Sequence, residues 1–262
     1  MSKFIDGLNQ ISRAVPQPVG FRTARLASPK PRMLLVAGLA QANVENLADC
    51  VAGADAGLLP VSESRSGAKT LQKISQVVPD IPWGGWLRGS GQGGIKQMAK
   101  VGCDFVVFPA ASTSLAVFQG DEPGKILEVE SSLSDGLVRA INELPVDAVL
   151  IASQRREGHW LNWHHLMLFQ RFADLLTKPL LVSIPSGVTA GELQALWQAG
   201  VNGVVVEVGG GQAVGRVKEL RQLINKLVPP SPRRQGKAKA LLPFIGQEPS
   251  APIEEEEEEE EE

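Results

Sequence analysis

Eight short apolar runs alternate with segments of helical spacing between Met33 and Val228, and few architectures accept that order. The runs are Met33–Gly38, Gly57–Val61, Trp83–Leu87, Asp104–Pro109, Ile126–Glu130, Ala148–Ala152, Leu180–Ile184 and Gly203–Val208. Each has the length of a strand, and Val204-Val205-Val206 is too continuous for a strand with one face in water. Between the runs, Val44, Leu47, Ala48 and Val51 recur with the spacing of one helix face, as do Val217, Leu220, Ile224 and Leu227. Strand and helix in strict succession predict a parallel sheet whose crossovers are helices.

A second periodicity separates an open sheet from a closed one. The even-numbered runs are led in by Gly53-Ala-Asp55, Gly102-Cys-Asp104, Pro145-Val-Asp147 and Gly200-Val-Asn202, whereas the odd-numbered runs follow Pro31, Pro82, Pro123 and Pro179. An open doubly wound sheet has no reason to alternate four times, but a closed barrel fills its interior in layers drawn from alternate strands. The predicted fold is therefore α/β, a closed eight-stranded parallel (β/α)8 TIM barrel over residues 33–228. Residues 1–32 supply a short amphipathic helix at 3–14 and an extended segment kept so by Pro16, Pro18, Pro29 and Pro31. Helix boundaries are marked as well. Thr189-Ala-Gly-Glu192 has capping-box form, Ser134 is placed to cap the helix carrying Leu137, Val138, Ile141 and Leu144, and Gly200 suits a left-handed helix stop. The fourth crossover is the weakest, with only Ser114 to Phe118 helical in pattern.

From Pro229 the composition changes to a Pro-rich basic stretch, and the sequence closes on nine glutamates, Glu254 to Glu262. Such a segment buries no core, so residues 229–262 are expected to form a disordered acidic tail. The tail hides the charge of the body. Without those nine of the 29 acidic residues, 20 acids face 26 Lys and Arg, about +6 against a net −3 for the whole chain. A mildly basic body suits small anionic metabolites, while the lack of a basic stripe with interleaved aromatics argues against nucleic acid. Cys50 and Cys103 have neither disulfide nor zinc spacing and read as buried thiols. No long apolar leader and no run of the ~18 apolar residues that a membrane span needs are present, so a cytoplasmic protein is expected.

The candidate site lies where strands end. Gly209, Gly210 and Gly211 follow the eighth run and open the next helix, and glycine amides at a helix N-terminus suit an anion. Alternation sets Glu207 opposite Val206 and Val208, toward the barrel mouth, where it is the best acid/base candidate. Glu63, Arg65, Arg88, Ser112, Glu130, Arg155 and Arg156 also follow strands, the face on which such barrels do chemistry, with Glu63 and Arg88 as further catalytic candidates. Arg88 shares a face with Trp86 and Gly84, and Glu128 shares one with Glu130. His164 and His165 are adjacent and point different ways on one helix, so with His159 they make no metal set, and none is expected. Trp160 and Trp163 read as packing residues.

The stretch Ser186-Gly-Val-Thr-Ala-Gly-Glu-Leu-Gln-Ala-Leu-Trp-Gln-Ala-Gly-Val-Asn-Gly-Val-Val-Val-Glu-Val208 contains a segment that resembles the Gly-Gly-Ile-Ser/Thr…Glu…Gly-Val/Ala-Asp-Gly-Val-Val-Val pattern of the ribulose-phosphate-binding TIM barrels. By that resemblance, backbone amides after strands seven and eight would grip a phosphate at Ser186, Gly187, Gly209 and Gly210. Two positions depart from the pattern. Ser186-Gly187 replaces Gly-Gly, and Glu207-Val-Gly-Gly-Gly replaces the usual close of strand eight. A carboxylate beside a phosphate calls for an arginine between them or a protonated Glu207. No strand-six lysine of the Schiff-base aldolases and no Asp-x-Lys-x-x-Asp of the orotidine-phosphate-type decarboxylases is present, and the Rossmann Gly-x-Gly-x-x-Gly is missing after the first run.

Three readings follow. The first is a lyase, isomerase or synthase acting on a small anionic, phosphorylated metabolite with Glu207 as acid or base. The second is an FMN-dependent enzyme using the same glycine loops. The third is a non-catalytic barrel that binds a metabolite or a protein, with the acidic tail as an interaction arm. Truncation after Val228 is expected to leave the melting temperature unchanged. A fall of several degrees, worth ~1 kcal/mol or more, would show that the tail docks on the body.

Overall fold

Side-chain bonds tie neighbouring strands together where they begin. Asp55, Asp147 and Asn202, at the Asp and Asn positions of the repeated lead-in, accept the backbone N–H of Leu35, Lys125 and Leu180 at 2.7, 2.7 and 2.8 Å. Their own N–H groups donate back to the carbonyls of the same three residues. Each pair joins an odd-numbered strand to the next even one at the base of the ladder. The lead-in glycines Gly53, Gly102 and Gly200 have φ of +90°, +78° and +91°, which only glycine adopts without strain. The repeat seen in the sequence is thus a repeated hydrogen-bonded turn.

The computed structural model describes residues 2–12, 32–39, 47–61, 65–87, 98, 101–115, 123–152, 161–208 and 215–228. Eight strands run β1 Leu34–Leu39, β2 Ala56–Val61, β3 Trp83–Leu87, β4 Phe105–Pro109, β5 Gly124–Val129, β6 Ala148–Ile151, β7 Leu180–Ile184 and β8 Gly203–Val208. All neighbours are parallel, and β8 pairs with β1 from Leu34↔Gly203 to Leu39↔Val208, so the barrel is closed as expected. The helices among the described residues are α1 Lys3–Ser12, α2 Leu47–Val51, α3 Arg65–Val77, α4 Asp135–Ala140, α5 Trp163–Leu175, α6 Ala190–Gln198 and α7 Arg216–Asn225. A 3-10 turn at Ile141–Glu143 extends α4. Residues 229–262, where the acidic tail is expected, lie outside the described residues. So do most of the fourth crossover and the start of the second helix, to which the spacing assigns Val44.

Two apolar cores divide the molecule. One lies between sheet and helices and holds the outward side chains, such as Val204, Val206 and Val208, with Leu193, Leu196, Leu220 and Ile224 from the helices. The other is the lumen, filled by Leu34, Val36, Leu58, Trp86, Phe105, Val107, Ile126, Leu150 and Val205. Helix α1 closes the N-terminal end of the lumen with Phe4, Ile5 and Leu8, and Phe4 stacks on Phe105 at 4.5 Å between ring centroids. Glycines make room for this plug. A Cβ on Gly84 would lie 2.3 Å from the Phe105 ring, and one on Gly124 would lie 2.6 Å from Ile5.

Asp104 departs from its three counterparts and holds α1 instead. Its carboxylate accepts the Ser2 hydroxyl at 2.7 Å and the backbone N–H groups of Lys3 and Phe4 at 2.8 and 3.0 Å, capping orphan amides of the helix from a strand 100 residues away.

Several details correct the sequence reading. β5 begins at Gly124 rather than Ile126, because Gly124 and Lys125 pair with Phe105 and Val106. Thr189 and Glu192 form the capping box, but the Ser134 hydroxyl makes no cap bond although Ser134 stands at the cap of α4. Leu137 and Leu144 are 56% and 45% exposed, because Val138 and Ile141 alone carry the covered face of this short helix. Trp163, expected to pack, is 82% exposed in the first turn of α5, and Cys50 is half-buried rather than buried.

Replacing Asp104 by Ala leaves the first amides of α1 without their acceptor while the plug remains covered. The expected cost is about 1–2 kcal/mol in a denaturant titration, with earlier proteolysis near Ser12. An unchanged midpoint would mean that the apolar plug docks without the cap.

Candidate functional site

Among the described residues α1 covers the N-terminal end of the lumen, which leaves the C-terminal end of the strands as the side for a ligand. Alternation along each strand fixes what lines that mouth. The lumen series of β1 ends in Gly38, of β5 in Glu128, of β7 in Ser183 and of β8 in Glu207, each two residues beyond a lumen-core position. Glu128, Ser183 and Glu207 are partly exposed, while the residues below them are buried. The polar mouth therefore sits on an apolar floor. Glu207 belongs to the lumen series, and Gly38, its register partner on β1, adds no side chain beside it.

The β7–α6 turn is short. Val188 N–H donates to the Pro185 carbonyl at 3.3 Å, which leaves Ser186 and Gly187 at the exposed tip, and a Cβ on Gly187 would meet nothing within 4 Å. Arg216, the first residue of α7, holds this turn from the side. Its Nε donates to the Ser186 carbonyl at 2.6 Å and its Nη2 to the Val188 carbonyl at 2.8 Å, while Nη1 donates to Glu219 at 2.9 Å. Gly215, with φ of +87°, precedes it as the N-cap of α7. A guanidinium thus stands against the turn that the resemblance marks for an anion, at a residue to which sequence reasoning gives no role. Its signal is an arginine at N1 of the helix that follows the glycines, where a cation is uncommon.

A second feature also escapes the sequence. Trp86 Nε1 donates to Glu128 Oε2 at 2.5 Å, from β3 to β5 past β4. In the sequence Glu128 stands out only for sharing a face with Glu130. The latter lies past the end of β5, is exposed, and accepts the Ser132 hydroxyl at 3.2 Å. Ser112 is exposed in the turn after β4. Glu63, Arg88, Arg155, Arg156, His159, Trp160, Gly209, Gly210 and Gly211 lie outside the described residues, and of Arg65 only the backbone is described. His165 takes part in the cap of α5 through its backbone, the N–H donating to the Asn162 side chain at 3.1 Å. Among the described residues no group of His, Cys, Asp or Glu could hold a metal ion, and no helix is long and apolar enough to cross a membrane.

Cys103 shows what the lower end of the barrel does to a titratable group. Burial, countered only in part by backbone hydrogen bonds, pushes its thiol from 9.0 up to about 12. Its Sγ lies 3.0 Å from the Phe105 carbonyl at the start of β4, opposite the mouth. It is a structural thiol, since the nucleophile is the thiolate. Native protein treated with iodoacetamide near neutral pH is expected to keep Cys103 unmodified by peptide mass spectrometry, and to lose that protection only on unfolding.

The sequence matches no protein-family model and no curated protein. Among solved structures, KGPDC from Streptococcus mutans, determined as a ligand complex, aligns over 74% of this chain and 98% of its own, with a TM-score of 0.60 at 12% identity. Orotidine 5'-phosphate decarboxylase from Pyrococcus horikoshii OT3 aligns over 74% and 100%, with a TM-score of 0.57 at 14% identity. The 3-hexulose-6-phosphate synthase of Salmonella typhimurium aligns over 74% and 99%, also with a TM-score of 0.57 at 14% identity. In fold, then, this chain is a closed (β/α)8 TIM barrel, as these structures are.

Proposed function

We propose that the C-terminal mouth of this barrel binds a small anionic, phosphorylated metabolite. The anion sits between the Ser186-Gly187 turn and the glycines Gly209, Gly210 and Gly211, and Glu207 exchanges the proton beside it. The observation that carries this reading is Arg216. Two anions in one mouth repel unless a cation is fixed near them, and Arg216 is fixed at the Ser186 and Val188 carbonyls. A guanidinium bonded to neutral carbonyls keeps much of its positive field, partly offset by Glu219. Two of the solved structures of similar fold are enzymes named for phosphorylated compounds, which supports the same ligand class here. Within that class the reaction is that of a lyase, isomerase or synthase, and Glu63 and Arg88 are the further residues proposed to act in it.

Thermal melts test this directly. Inorganic phosphate, sugar phosphates and FMN should each raise the midpoint, by ~2.7 kcal/mol of stability for a ligand at ~100 times its dissociation constant. Glu207→Gln should strengthen anion binding by removing a like charge, and Gly210→Asp should abolish it by adding bulk and charge. If no such ligand shifts the melt and Glu207→Gln changes no response, the barrel is not an anion site, and a non-catalytic binding role takes its place. A response to FMN alone would favour the flavin enzyme.

A further inference from the structure

The bond between Trp86 and Glu128 is more than the fold needs. A buried indole N–H must find an acceptor, and this chain shows the inexpensive solution three residues earlier, where Trp83 Nε1 donates to the Val78 carbonyl at 2.8 Å. Trp86 instead uses a carboxylate, which brings a charge to the top of a lumen built of Val36, Leu58, Val107, Ile126, Leu150 and Val205. Holding a charge there is costly unless its oxygens are well satisfied. Among the described residues Trp86 is the only side chain hydrogen-bonded to Glu128, and it occupies only Oε2. One oxygen is locked by a rigid ring and the other is left for something else. Glu128 is also partly exposed at the one end of the lumen that α1 does not close.

We propose that Glu128 is a hydroxyl-binding group of the mouth and Trp86 its positioning residue. The indole fixes the plane of the carboxylate, and Oε1 accepts hydrogen bonds from neighbouring hydroxyls of the bound ligand. Glu128 lies on β5, two strands around the mouth from β7 and the turn that Arg216 holds. A ligand that meets both walls carries an anionic group at one end and hydroxyls at the other. The proposal rests on the anion site for orientation but not for its own contact.

The test uses the full chain, with ribose 5-phosphate, D-ribose and inorganic phosphate as probes, and reads tryptophan fluorescence and thermal shift together. Glu128→Gln keeps an oxygen for the Trp86 N–H and the same shape, so folding is preserved. It should weaken ribose 5-phosphate roughly tenfold, as expected for loss of a charged hydrogen-bond acceptor, and leave inorganic phosphate unchanged. The fluorescence change on adding ribose 5-phosphate should vanish in Trp86→Phe, which should also bind that probe less well while inorganic phosphate binds as before. A purely structural tryptophan would produce no such ligand-dependent signal. Equal ribose 5-phosphate affinity in wild type and Glu128→Gln overturns the proposal, as does a fluorescence response that survives Trp86→Phe or no response to ribose 5-phosphate at millimolar concentration. If inorganic phosphate fails to bind while D-ribose or ribose 5-phosphate binds and depends on Glu128, the anion site is wrong and this contact stands.

Discussion

A parallel barrel depends on satisfying the backbone where its strands begin, since no hairpin ties neighbouring strands there. In this chain the task falls to short carboxylate and amide side chains. Asp55, Asp147 and Asn202 each extend the ladder by one rung with a side-chain oxygen and their own N–H. Arg221 from α7 then ties Asp55, the Gly53 carbonyl and the Met33 carbonyl together, so α7 is pinned to the entries of β1 and β2. The register β1 takes against β2 follows from these contacts as much as from apolar alternation.

The same rim separates the ends of the barrel by chemistry. The Asp104 carboxylate serves α1 while its backbone N–H still bonds the Trp83 carbonyl, the helix fills the lumen from below, and among the described residues the polar lumen positions lie at the top. Cys103 beside it is held as a neutral thiol by burial. Glu128, Ser183 and Glu207 keep partial exposure at the other end. An anion in the mouth would meet Arg216 without competition from Asp55, Asp104 and Asp147 of the lower rim, which are engaged in backbone bonds.

Much of the fold is legible in the sequence because it is written in local, repeated signals. The glycine and Asx lead-ins are each a turn, so their recurrence exposes the closure before any contact is known. Boundaries fail where an apolar run is extended by residues that are not apolar, as at Gly124 and Lys125, and Gly124 joins the strand because Ile5 and Ser2 leave no room for a side chain there. Amphipathic spacing names Leu137 and Leu144 as covered, but a helix of one and a half turns shows its neighbours only the side that Val138 occupies. The site is half legible. The lumen-facing place of Glu207 follows from alternation alone, since a strand has two faces and one lies under helices. Trp86 with Glu128 does not, because the bond spans two strand spacings and depends on the curvature of the closed sheet. Arg216 can be read as a helix N1 residue, but its grip on Ser186 depends on how α7 lies against the β7 turn.

The plug at the lower end has a consequence for the order in which the molecule can assemble. Helix α1 precedes every strand, yet its cap is Asp104, 100 residues later along the chain, and its apolar face rests on Phe105 and against Gly124. During synthesis the helix emerges before the strands and has nothing to dock on until β4 and β5 exist. It then carries an uncovered Phe4, Ile5 and Leu8 while roughly half of the barrel is made, and closing so long a loop is a slow, non-local step. A segment made before any strand is thus among the last to find its place, and until then the lumen lacks its cover at the N-terminal end.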